Sequence, residues 1–304
     1  MSLVDLHTHS TASDGTLTPT QLVQAAVRSG LVGLALTDHD TGNGLMEASA
    51  AADANKLRFV PGIEISAEFP QPGTMHILGH FIDPLSPALH DMSRILLEGR
   101  NQRNPKIVAR LNELGCPITL EQVITIAKAG VPQGEPFVVG RPHIARALLD
   151  AGCVKSMKEA FDQYLGTTGK AYFDKERLTP KQAIECIHKA GGLATLAHPV
   201  QLRLSNHAEL QTVISKLKDI GLDGIEVWHS DHGPHDSKLL LEFARRYDLA
   251  CTGGSDFHGG NKPDVQLVSG RNNVSVPVDV LDKLEARWRS SPYARGRTNA
   301  GEAA

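Results

Sequence analysis

Two histidines one residue apart, His7 and His9, come directly after a short apolar stretch at the start of the chain. Side chains at positions i and i+2 of a β-strand point to the same side, so one strand can direct both imidazoles at a single point. Imidazole nitrogens are common ligands of metal ions. The pair alone fits two ordinary histidines as well as it fits a metal site, so other parts of the chain must supply further ligands.

Residues that could bind metal recur at or just beyond the ends of the other predicted strands. All of them offer an imidazole nitrogen or a carboxylate oxygen, and none offers sulfur. They are His7, His9, Asp14, His39, Glu64, His76, His198, Asp256 and His258. The loops that follow the strands of a closed parallel barrel converge on one face, so these side chains are predicted to meet there. They would suffice for about two or three divalent ions with several ligands each.

Several other residues of the same types are interpreted differently. Glu226 and His229 also end a predicted strand, and we interpret them as supporting or surface residues rather than ligands. His80 shares the face of His76 and is interpreted as a buried or supporting histidine. Three further histidines lie in polar segments and are predicted to be exposed, namely His207, His232 and His235.

Short apolar runs alternate with longer amphipathic stretches over much of the chain, which is typical of βα units. The runs predict strands over residues 2–6, 32–36, 59–66, 75–82, 193–197, 224–228 and 249–252, with a last strand near 273–278. The amphipathic stretches between them predict helices over 19–29, 43–55, 180–190, 207–219 and 235–247. The fold class is therefore predicted to be α/β.

The rhythm changes in the middle of the chain, where helical patterns follow one another without an intervening strand. These patterns cover residues 86–114, 119–129, 141–150 and 156–165. We therefore predict a barrel built from residues 1–85 and 175–285, with residues 86–174 as a helical insertion that caps the substrate site. Residues 286–304, rich in Arg, Gly, Asn and Ala towards their end, are predicted to form a flexible tail.

The composition excludes several classes of protein. A chain of 304 residues with 41% hydrophobic residues can bury a sizeable core. No apolar run approaches the ~18 residues of a membrane span, and no secretory signal is evident. A net charge of −3 gives no overall field that attracts nucleic acid, and four scattered cysteines suggest a reducing compartment. We expect a cytoplasmic protein without a membrane contact, and no protein partner is indicated.

Five short motifs occur in a specific order along the chain. They are HTHS-x-x-SDG at 7–15, TDHD at 37–40, GIE at 62–64, AHP at 197–199 and GSDFH at 254–258. Together with His76, this ordered set resembles the PHP (polymerase and histidinol phosphatase) superfamily. The resemblance implies a distorted (β/α)7 barrel with a trinuclear metal centre, whose ligands would be the nine residues given above. Ligands of nitrogen and oxygen suit manganese, iron or zinc better than magnesium alone, and manganese is favoured within the family.

The segment TDHDT at 37–41, the strand HILGHFID at 76–83 and the GRPH sequence at 140–143 resemble the stand-alone members of the superfamily that act on nucleotides. The resemblance implies hydrolysis of the 3′-phosphate of 3′,5′-bisphosphonucleotides, such as adenosine 3′,5′-bisphosphate to AMP, by a metal-bound hydroxide. The alternatives are a 5′–3′ exonuclease on short RNA or DNA, a histidinol-phosphate phosphatase and an amidohydrolase. A structural module of a polymerase assembly is the alternative outside the enzymes.

The leaving alcohol of such a reaction needs a proton, and both His198 and Asp256 are candidate donors between which the sequence does not decide. The second phosphate of a bisphosphate needs cationic partners. Arg141 is the first choice because guanidinium binds phosphate bidentately. His143 follows at the start of a helix, where backbone N–H groups favour anions, and Lys170 is a weaker candidate.

The segment 94–110 is rich in basic residues and could guide an oligonucleotide. It has no aromatic residue interleaved among its cations for base stacking. We therefore interpret this segment as a solvated helix face.

Overall fold

The apolar runs predicted as strands form one sheet in the computed structural model, which describes residues 2–129 and 137–294. Within those residues the strands are β1 (Leu3–Asp5), β2 (Leu31–Leu36), β3 (Arg58–Ala67), β4 (Met75–His80), β5 (Leu193–Leu196), β6 (Gly224–His229), β7 (Ala250–Gly254) and β8 (Val276–Pro277). Their order in the sheet is β7-β6-β5-β4-β3-β2-β1-β8. A 3.1 Å hydrogen bond from the N–H of Leu6 to the carbonyl of Gly253 joins the regions of β1 and β7 and nearly closes a barrel.

Strand direction explains why the barrel is distorted. Strands β1, β2 and β3 are mutually parallel, and so are β5, β6 and β7. Strand β4 runs antiparallel to both β3 and β5, because the connection between β3 and β4 is too short for a crossover. The predicted α/β barrel is confirmed, and the last strand predicted near 273–278 is the short antiparallel β8 beside β1. The described residues therefore contain eight strands rather than the seven of a (β/α)7 barrel.

The predicted helices lie close to their predicted positions, and the described residues contain one further helix, over 278–290, that was not predicted. They are α1 (Pro19–Arg28), α2 (Leu45–Asn55), α3 (Pro87–Glu113), α4 (Leu120–Lys128), α5 (Arg141–Asp150), α6 (Met157–Ala160), α7 (Pro180–Lys189), α8 (His207–Asp219), α9 (Pro234–Arg246) and α10 (Val278–Ser290). Capping boxes at Thr18, Thr119 and Thr179 fix the starts of three of them. The predicted helix over 156–165 is α6 followed by a π-helical turn, Phe161–Leu165. In the described part of the chain, no helix is both long and apolar enough to cross a membrane.

The middle of the chain has a hydrophobic core that is separate from that of the barrel. Helix α3 contributes to both cores, since Leu89 and Leu96 pack in the barrel core whereas Ile107 and Leu111 pack in the second one. Pro105 lies between the two halves of this helix. The second core also contains side chains from α4, α5 and the π-helical turn. The insertion is thus attached to the barrel through one continuous helix.

The end of the described chain is packed against the barrel. The ring of Trp288 in α10 stacks on Phe81 with centroids 4.9 Å apart, and its Nε1–H donates to the carbonyl of Gly191 at 2.7 Å. Tyr293 stacks on His188 at 3.9 Å. This packing differs from the predicted flexible tail of residues 286–304, of which residues 295–304 lie outside the described residues.

Candidate metal centre and substrate cavity

The nine predicted ligands lie together at one end of the barrel. His7 and His9 follow β1, and His39 follows β2. His76 is at the start of β4, and because this strand is antiparallel, its first residues lie at the same end as the last residues of the parallel strands. Strand β3 continues beyond Glu64 because it pairs there with β4, so this carboxylate lies within the strand.

Glu64 is the central carboxylate of the cluster, and it is 1% exposed. Its Oε1 lies 2.7 Å from Nδ1 of His76 and 2.8 Å from Nε2 of His198. Its Oε2 lies 2.9 Å from Nδ1 of His39 and 3.3 Å from Nε2 of His9. The two oxygens therefore face two different groups of imidazoles, as a carboxylate shared between adjacent metal ions would.

Asp256 and Asp14 complete the other side of the cluster. Oδ1 of Asp256 lies 3.3 Å from Nε2 of His9 and 3.4 Å from Nδ1 of His258. Oδ1 of Asp14 lies 3.3 Å from Nε2 of His258, and its Oδ2 lies 3.8 Å from Nε2 of His39. Asp14 therefore reaches back from its loop to the centre formed by the strand ends.

In the part of the chain that the structure describes, several buried polar atoms of these residues make no hydrogen bond of acceptable geometry, although most of them lie near oppositely charged groups. They are Nε2 of His7, Nδ1 and Nε2 of His9, Nδ1 of His39, Oε2 of Glu64 and Nδ1 of His198. Buried polar atoms are costly unless they are paired. Among the nine residues, four groups have ligand atoms that all lie within 4.8 Å of one another; they are His9-Asp14-His39-His258, His7-His9-Asp256, His7-Glu64-His198 and His39-Glu64-His76. A fifth such group, His7-Glu226-His229, includes two residues outside the nine. The residues present thus fit divalent cations, and their nitrogen and oxygen donors suit transition metals.

The electrostatics of the cluster also suit cations. Burial raises the pKa of Glu64, but the nearby imidazoles of His39 and His76 outweigh this and hold the pKa well below its usual range. Burial lowers the pKa of His9, while the carboxylates of Asp256 and Glu64 raise it to about 9. A metal ion that binds His9 must therefore displace a proton near neutral pH.

Glu226 supports the cluster through two hydrogen bonds and is fully buried. Its Oε1 lies 2.9 Å from Nδ1 of His7, and its Oε2 accepts a 2.7 Å hydrogen bond from the backbone N–H of His198. Burial raises the pKa of this carboxyl, but His7 and His229 lower it to about 2. Both oxygens are therefore engaged, which agrees with a supporting role rather than with direct metal binding.

His229 is also better explained as a supporting residue. Its Nδ1 accepts a 3.0 Å hydrogen bond from the backbone N–H of Asp231. In the neutral imidazole the proton must then be on Nε2. This nitrogen lies 3.4 Å from Oδ2 of Asp256, so its N–H faces that carboxylate. A protonated nitrogen has no lone pair with which to bind a metal ion.

The remaining histidines of interest divide into buried and exposed ones. Nε2 of His80 donates to the carbonyl of Leu6 at 3.0 Å, which agrees with its interpretation as a buried supporting residue. His207 and His235 are exposed as predicted. The prediction for His232 is wrong, because it is 4% exposed and its Nδ1 donates to the carbonyl of Val227 at 2.9 Å.

Asp38 is a supporting residue that our sequence analysis did not identify. Its carboxylate accepts hydrogen bonds from the backbone N–H and the hydroxyl of Ser10, at 2.8 and 2.6 Å, and from the hydroxyl of Ser13 at 2.5 Å. These bonds fix the loop that carries Asp14. The signal in the sequence was the acidic residue on each side of His39.

Backbone strain is concentrated in the loops of this site. Asp40, His198 and Asp256 have φ angles of 59°, 26° and 58°. Residues other than glycine rarely adopt such angles, which cost about 1–3 kcal/mol each and persist where the surroundings enforce them. The hydrogen bond that Glu226 accepts from the backbone N–H of His198 is part of these surroundings.

A cavity of about 940 Å³ lies between the metal cluster and the insertion. Asp14, His39, His76 and His258 line it on the barrel side. The opposite side presents basic side chains from α3, from α5 and from the segment that returns to the barrel. They are Arg100, Arg103, Arg141, Lys175 and Arg177. The cavity therefore joins a candidate metal centre to a wall of cations.

The predicted substrate residues differ in their relation to this cavity. Arg141 lines it, with Nη1 donating to the carbonyl of Leu165 at 2.9 Å and the guanidinium 5.4 Å from the ring centre of Tyr172. His143 is buried beside it, and its Nδ1 accepts the N–H of Gly140 at 2.9 Å. His143 is absent from the lining of the cavity.

The prediction for Lys170 does not agree with the structure. Lys170 is exposed in the turn that follows the π-helical segment, and it is not among the residues that line the cavity. Lys175, further along the same segment, enters the cavity instead, with its side chain 5% exposed. Lys175 thus supplies the positive charge that was predicted for Lys170.

The interpretation of 94–110 as a solvated face is wrong for two of its arginines. Arg100 and Arg103 are 8% and 4% exposed and line the cavity. They lie on the same face of α3 as Leu96 and Ile107, both of which are buried. Their positions within this apolar stripe were the signal that the sequence offered.

Among the described residues, the five cations of the basic wall form ion pairs with only two carboxylates, those of Asp40 and Asp174. Arg103 pairs with the side-chain oxygen of Asn104, a neutral acceptor. Burial and repulsion from Arg100 and Arg141 lower the pKa of Arg103 to about 9. Such a cluster of buried like charges favours the binding of an anion.

Comparison with known proteins places this site in a known context. The PHP domain family matches residues 5–220. A 3′,5′-nucleoside bisphosphate phosphatase from Chromobacterium violaceum is 34% identical over 94% of this chain and 98% of its own length. The 5′-3′ exoribonuclease Rnm from Escherichia coli is 35% identical over 84% of this chain and 85% of its own length.

A solved structure is similar over nearly its whole length as well. A protein from Bifidobacterium adolescentis, named as a predicted metal-dependent phosphoesterase, superposes with a TM-score of 0.82 and 34% identity. The match covers 94% of this chain and 96% of that protein. From the family match, the identities and the geometry of the site together, this chain belongs to the PHP domain family and is a metal-dependent phosphoesterase.

Proposed function

We propose that the protein removes the 3′-phosphate from 3′,5′-bisphosphonucleotides, converting adenosine 3′,5′-bisphosphate to AMP and phosphate. The observation that carries the proposal is the placement of a candidate metal centre and a cationic wall in one cavity. A relative with 34% identity is named a 3′,5′-nucleoside bisphosphate phosphatase. A substrate with two phosphates matches both sides of such a cavity.

The proposal assigns one phosphate to each side of the cavity. The scissile phosphate would lie at the ligand cluster around Glu64, where His39 and His76 line the cavity. The second phosphate would lie at the basic wall, where Arg100 and Arg141 can donate hydrogen bonds to its oxygens. A substrate with a single phosphate would leave the charges of that wall unmatched.

Divalent ions held by the nine residues, for which we propose manganese with iron or zinc as alternatives, would activate water and neutralise phosphoryl charge. The residues themselves divide into ligands and supports. Glu226 orients His7 and the loop of His198, and Asp38 orients the loop of Asp14. These contacts preorganise the cluster before substrate binds.

The two predicted proton donors can be compared by their charge states. Burial raises the pKa of Asp256, but Lys262 and His258 lower it well below its usual range, so the carboxyl is ionised and has no proton to give. Burial lowers the pKa of His198, so its imidazole is neutral, and loss of its single N–H proton would leave an imidazolate anion. Neither residue is therefore an effective proton donor in these charge states, and we keep both in the proposed ligand set.

A second candidate function is 5′–3′ exonuclease activity on short RNA. The observation that favours it is the 35% identity to the exoribonuclease Rnm over 84% of the chain. The same metal cluster would serve both reactions. The two functions differ in product, since an exonuclease releases nucleoside monophosphates and a bisphosphate phosphatase releases inorganic phosphate.

The test is a product assay of the manganese-loaded protein on adenosine 3′,5′-bisphosphate, AMP, histidinol phosphate and a short 5′-phosphorylated RNA. We expect rapid phosphate release from the bisphosphate and slow release from AMP. The Asp256→Asn variant is the control for a contaminating phosphatase and should be inactive. A higher kcat/KM for RNA or histidinol phosphate than for the bisphosphate would overturn the proposal.

A further inference from the structure

Asp40 is a buried acidic residue that lies outside the candidate ligand set but directly follows His39. Its backbone N–H donates to the carbonyl of Glu64 at 2.9 Å, and its Oδ1 accepts the N–H of Ser66 at 2.8 Å. Its backbone adopts a φ of 59°. The position of this carboxylate is therefore fixed by the same strand, β3, that carries the central carboxylate of the metal cluster.

The second oxygen of Asp40 contacts two cations of the basic wall. Nη2 of Arg100 and Nζ of Lys175 each lie 2.5 Å from Oδ2 of Asp40. The side chains of these cations are 9% and 5% exposed. One carboxylate charge therefore serves two buried cations, and Nε of Arg100 has no hydrogen-bond partner among the residues that the structure describes. The pair keeps an unbalanced positive charge beside the cavity.

The charge state of Lys175 agrees with this arrangement. Burial and Arg100 lower the pKa of Lys175 to about 7, and Asp40 opposes them. Without this carboxylate, the ammonium of Lys175 would be less able to keep its proton near neutral pH.

We propose that Asp40 is a positioning residue that holds Arg100 and Lys175 as the binding site for the second phosphate, at a fixed distance from the metal cluster. The inference rests on the proposed function. The two cations belong to α3 and to the segment that leaves the insertion, whereas Asp40 belongs to the barrel. A single side chain thus sets the distance between the two phosphate sites, and with it the length of substrate that fits.

The test compares Asp40→Asn with Asp282→Asn in the full-length, manganese-loaded protein. Asp282 is a matched control, because its carboxylate also pairs with an arginine, Arg58, at 2.6 Å, but on the outer face of the barrel. For Asp40→Asn we expect KM for adenosine 3′,5′-bisphosphate to rise by ~10-fold or more, as for the loss of charged hydrogen bonds. We expect its metal content and its kcat on p-nitrophenyl phosphate to stay within about twofold of the wild-type values, and Asp282→Asn to behave as wild type.

A purely structural role of Asp40 predicts a different result. If Asp40 only supported the loop of His39, Asp40→Asn would lose metal or would lose activity on both substrates equally, and either outcome overturns the proposal. A double variant with Lys175→Met adds a second criterion. Residues that act as one unit are not additive, so the double variant should raise KM no more than the worse single variant, and multiplied effects would overturn the proposal.

Calorimetric binding of AMP separates this inference from the proposed function. We expect Asp40→Asn to weaken AMP binding to the manganese-loaded protein by ~10-fold or more, because the 5′-phosphate would lose its positioned cations. If the wild-type protein releases no phosphate from the bisphosphate while Asp40→Asn still weakens AMP binding, the proposed function fails and the positioning role stands. If the wild-type protein is active and AMP binds both proteins equally, the positioning role fails.

Discussion

Replacing Glu226 by glutamine tests whether a buried carboxylate determines which nitrogen of His7 is available to metal. The two side chains have nearly the same shape, so the substitution changes charge and hydrogen bonding and leaves the packing. Oε1 of Glu226 lies 2.9 Å from Nδ1 of His7, and Oε2 accepts the backbone N–H of His198 at 2.7 Å. The carboxylate thus accepts at both ends, which an amide cannot do.

Each orientation of the glutamine amide has a defined cost. If its oxygen faces the N–H of His198, its NH₂ group faces Nδ1 of His7, and the proton of His7 must move to Nε2. That nitrogen is the one that faces Glu64, at 3.5 Å, and it can then no longer bind metal. If the amide is reversed, its NH₂ group faces the N–H of His198, and a buried donor loses its partner at a cost of about 1–3 kcal/mol.

The structure sets the expected magnitudes. Loss of a supporting contact to a metal-binding histidine typically weakens metal affinity by about 10–100-fold, or about 1.4–2.7 kcal/mol. The pKa of Glu226 falls from its ordinary 4.5 to about 2, which corresponds to about 3 kcal/mol of folding free energy in the metal-free protein. Because this pKa is lowered, that contribution is complete above pH ~4.5 and disappears as the pH falls through about 2.

The assay is calorimetric titration of manganese into metal-free wild-type protein, Glu226→Gln and a control, Glu242→Gln, together with urea unfolding at pH 7. Glu242 is an exposed residue of α9, and its substitution should change neither quantity. We expect weaker manganese binding and a lower free energy of unfolding for Glu226→Gln alone. Wild-type manganese affinity in Glu226→Gln would refute the argument that this carboxylate selects the metal-binding nitrogen of His7.

Three other predictions concern the cavity and the metal cluster. Arg141→Ala should raise KM for adenosine 3′,5′-bisphosphate by about 10- to 150-fold, which corresponds to about 1.5–3 kcal/mol of binding free energy. An equal effect on p-nitrophenyl phosphate would remove Arg141 from the second-phosphate site. Lys175, whose pKa is about 7, is cationic below that pH, so kcat/KM for the bisphosphate should decline above pH ~7 in the wild type; the same decline in Lys175→Met would contradict this cause. Chelation with EDTA should lower the Tm and manganese should restore it, because the metal binds the folded state; a Tm that is insensitive to both treatments would argue against a metal site among the buried histidines.

The sequence supports prediction of the ligand cluster because strand ends and ligands coincide along the chain. His7, His39 and His258 each follow an apolar run, and the barrel rule places the ends of such runs on one face. The antiparallel direction of β4 does not disturb this prediction. Because His76 lies at the start of its strand instead of at its end, the reversed strand still places it on the same face. Helix positions were predictable for a different reason, because capping residues and apolar periodicity are features of neighbouring residues in the sequence.

The basic wall was not predictable in the same way, because its meaning depends on what packs against α3. On an isolated helix, the charged ends of Arg100 and Arg103 would be expected to lie in solvent. They become buried only because the helix continues past the barrel into a second core, so the stripe that holds Leu96 on one side and Ile107 on the other is covered along its whole length. A cation within such a covered stripe must find a counter-charge or an anion. Asp40 supplies one negative charge for Arg100 and Lys175 together, and that imbalance, which no local pattern in the sequence encodes, is the strongest physical argument that the second half of the cavity binds a phosphate.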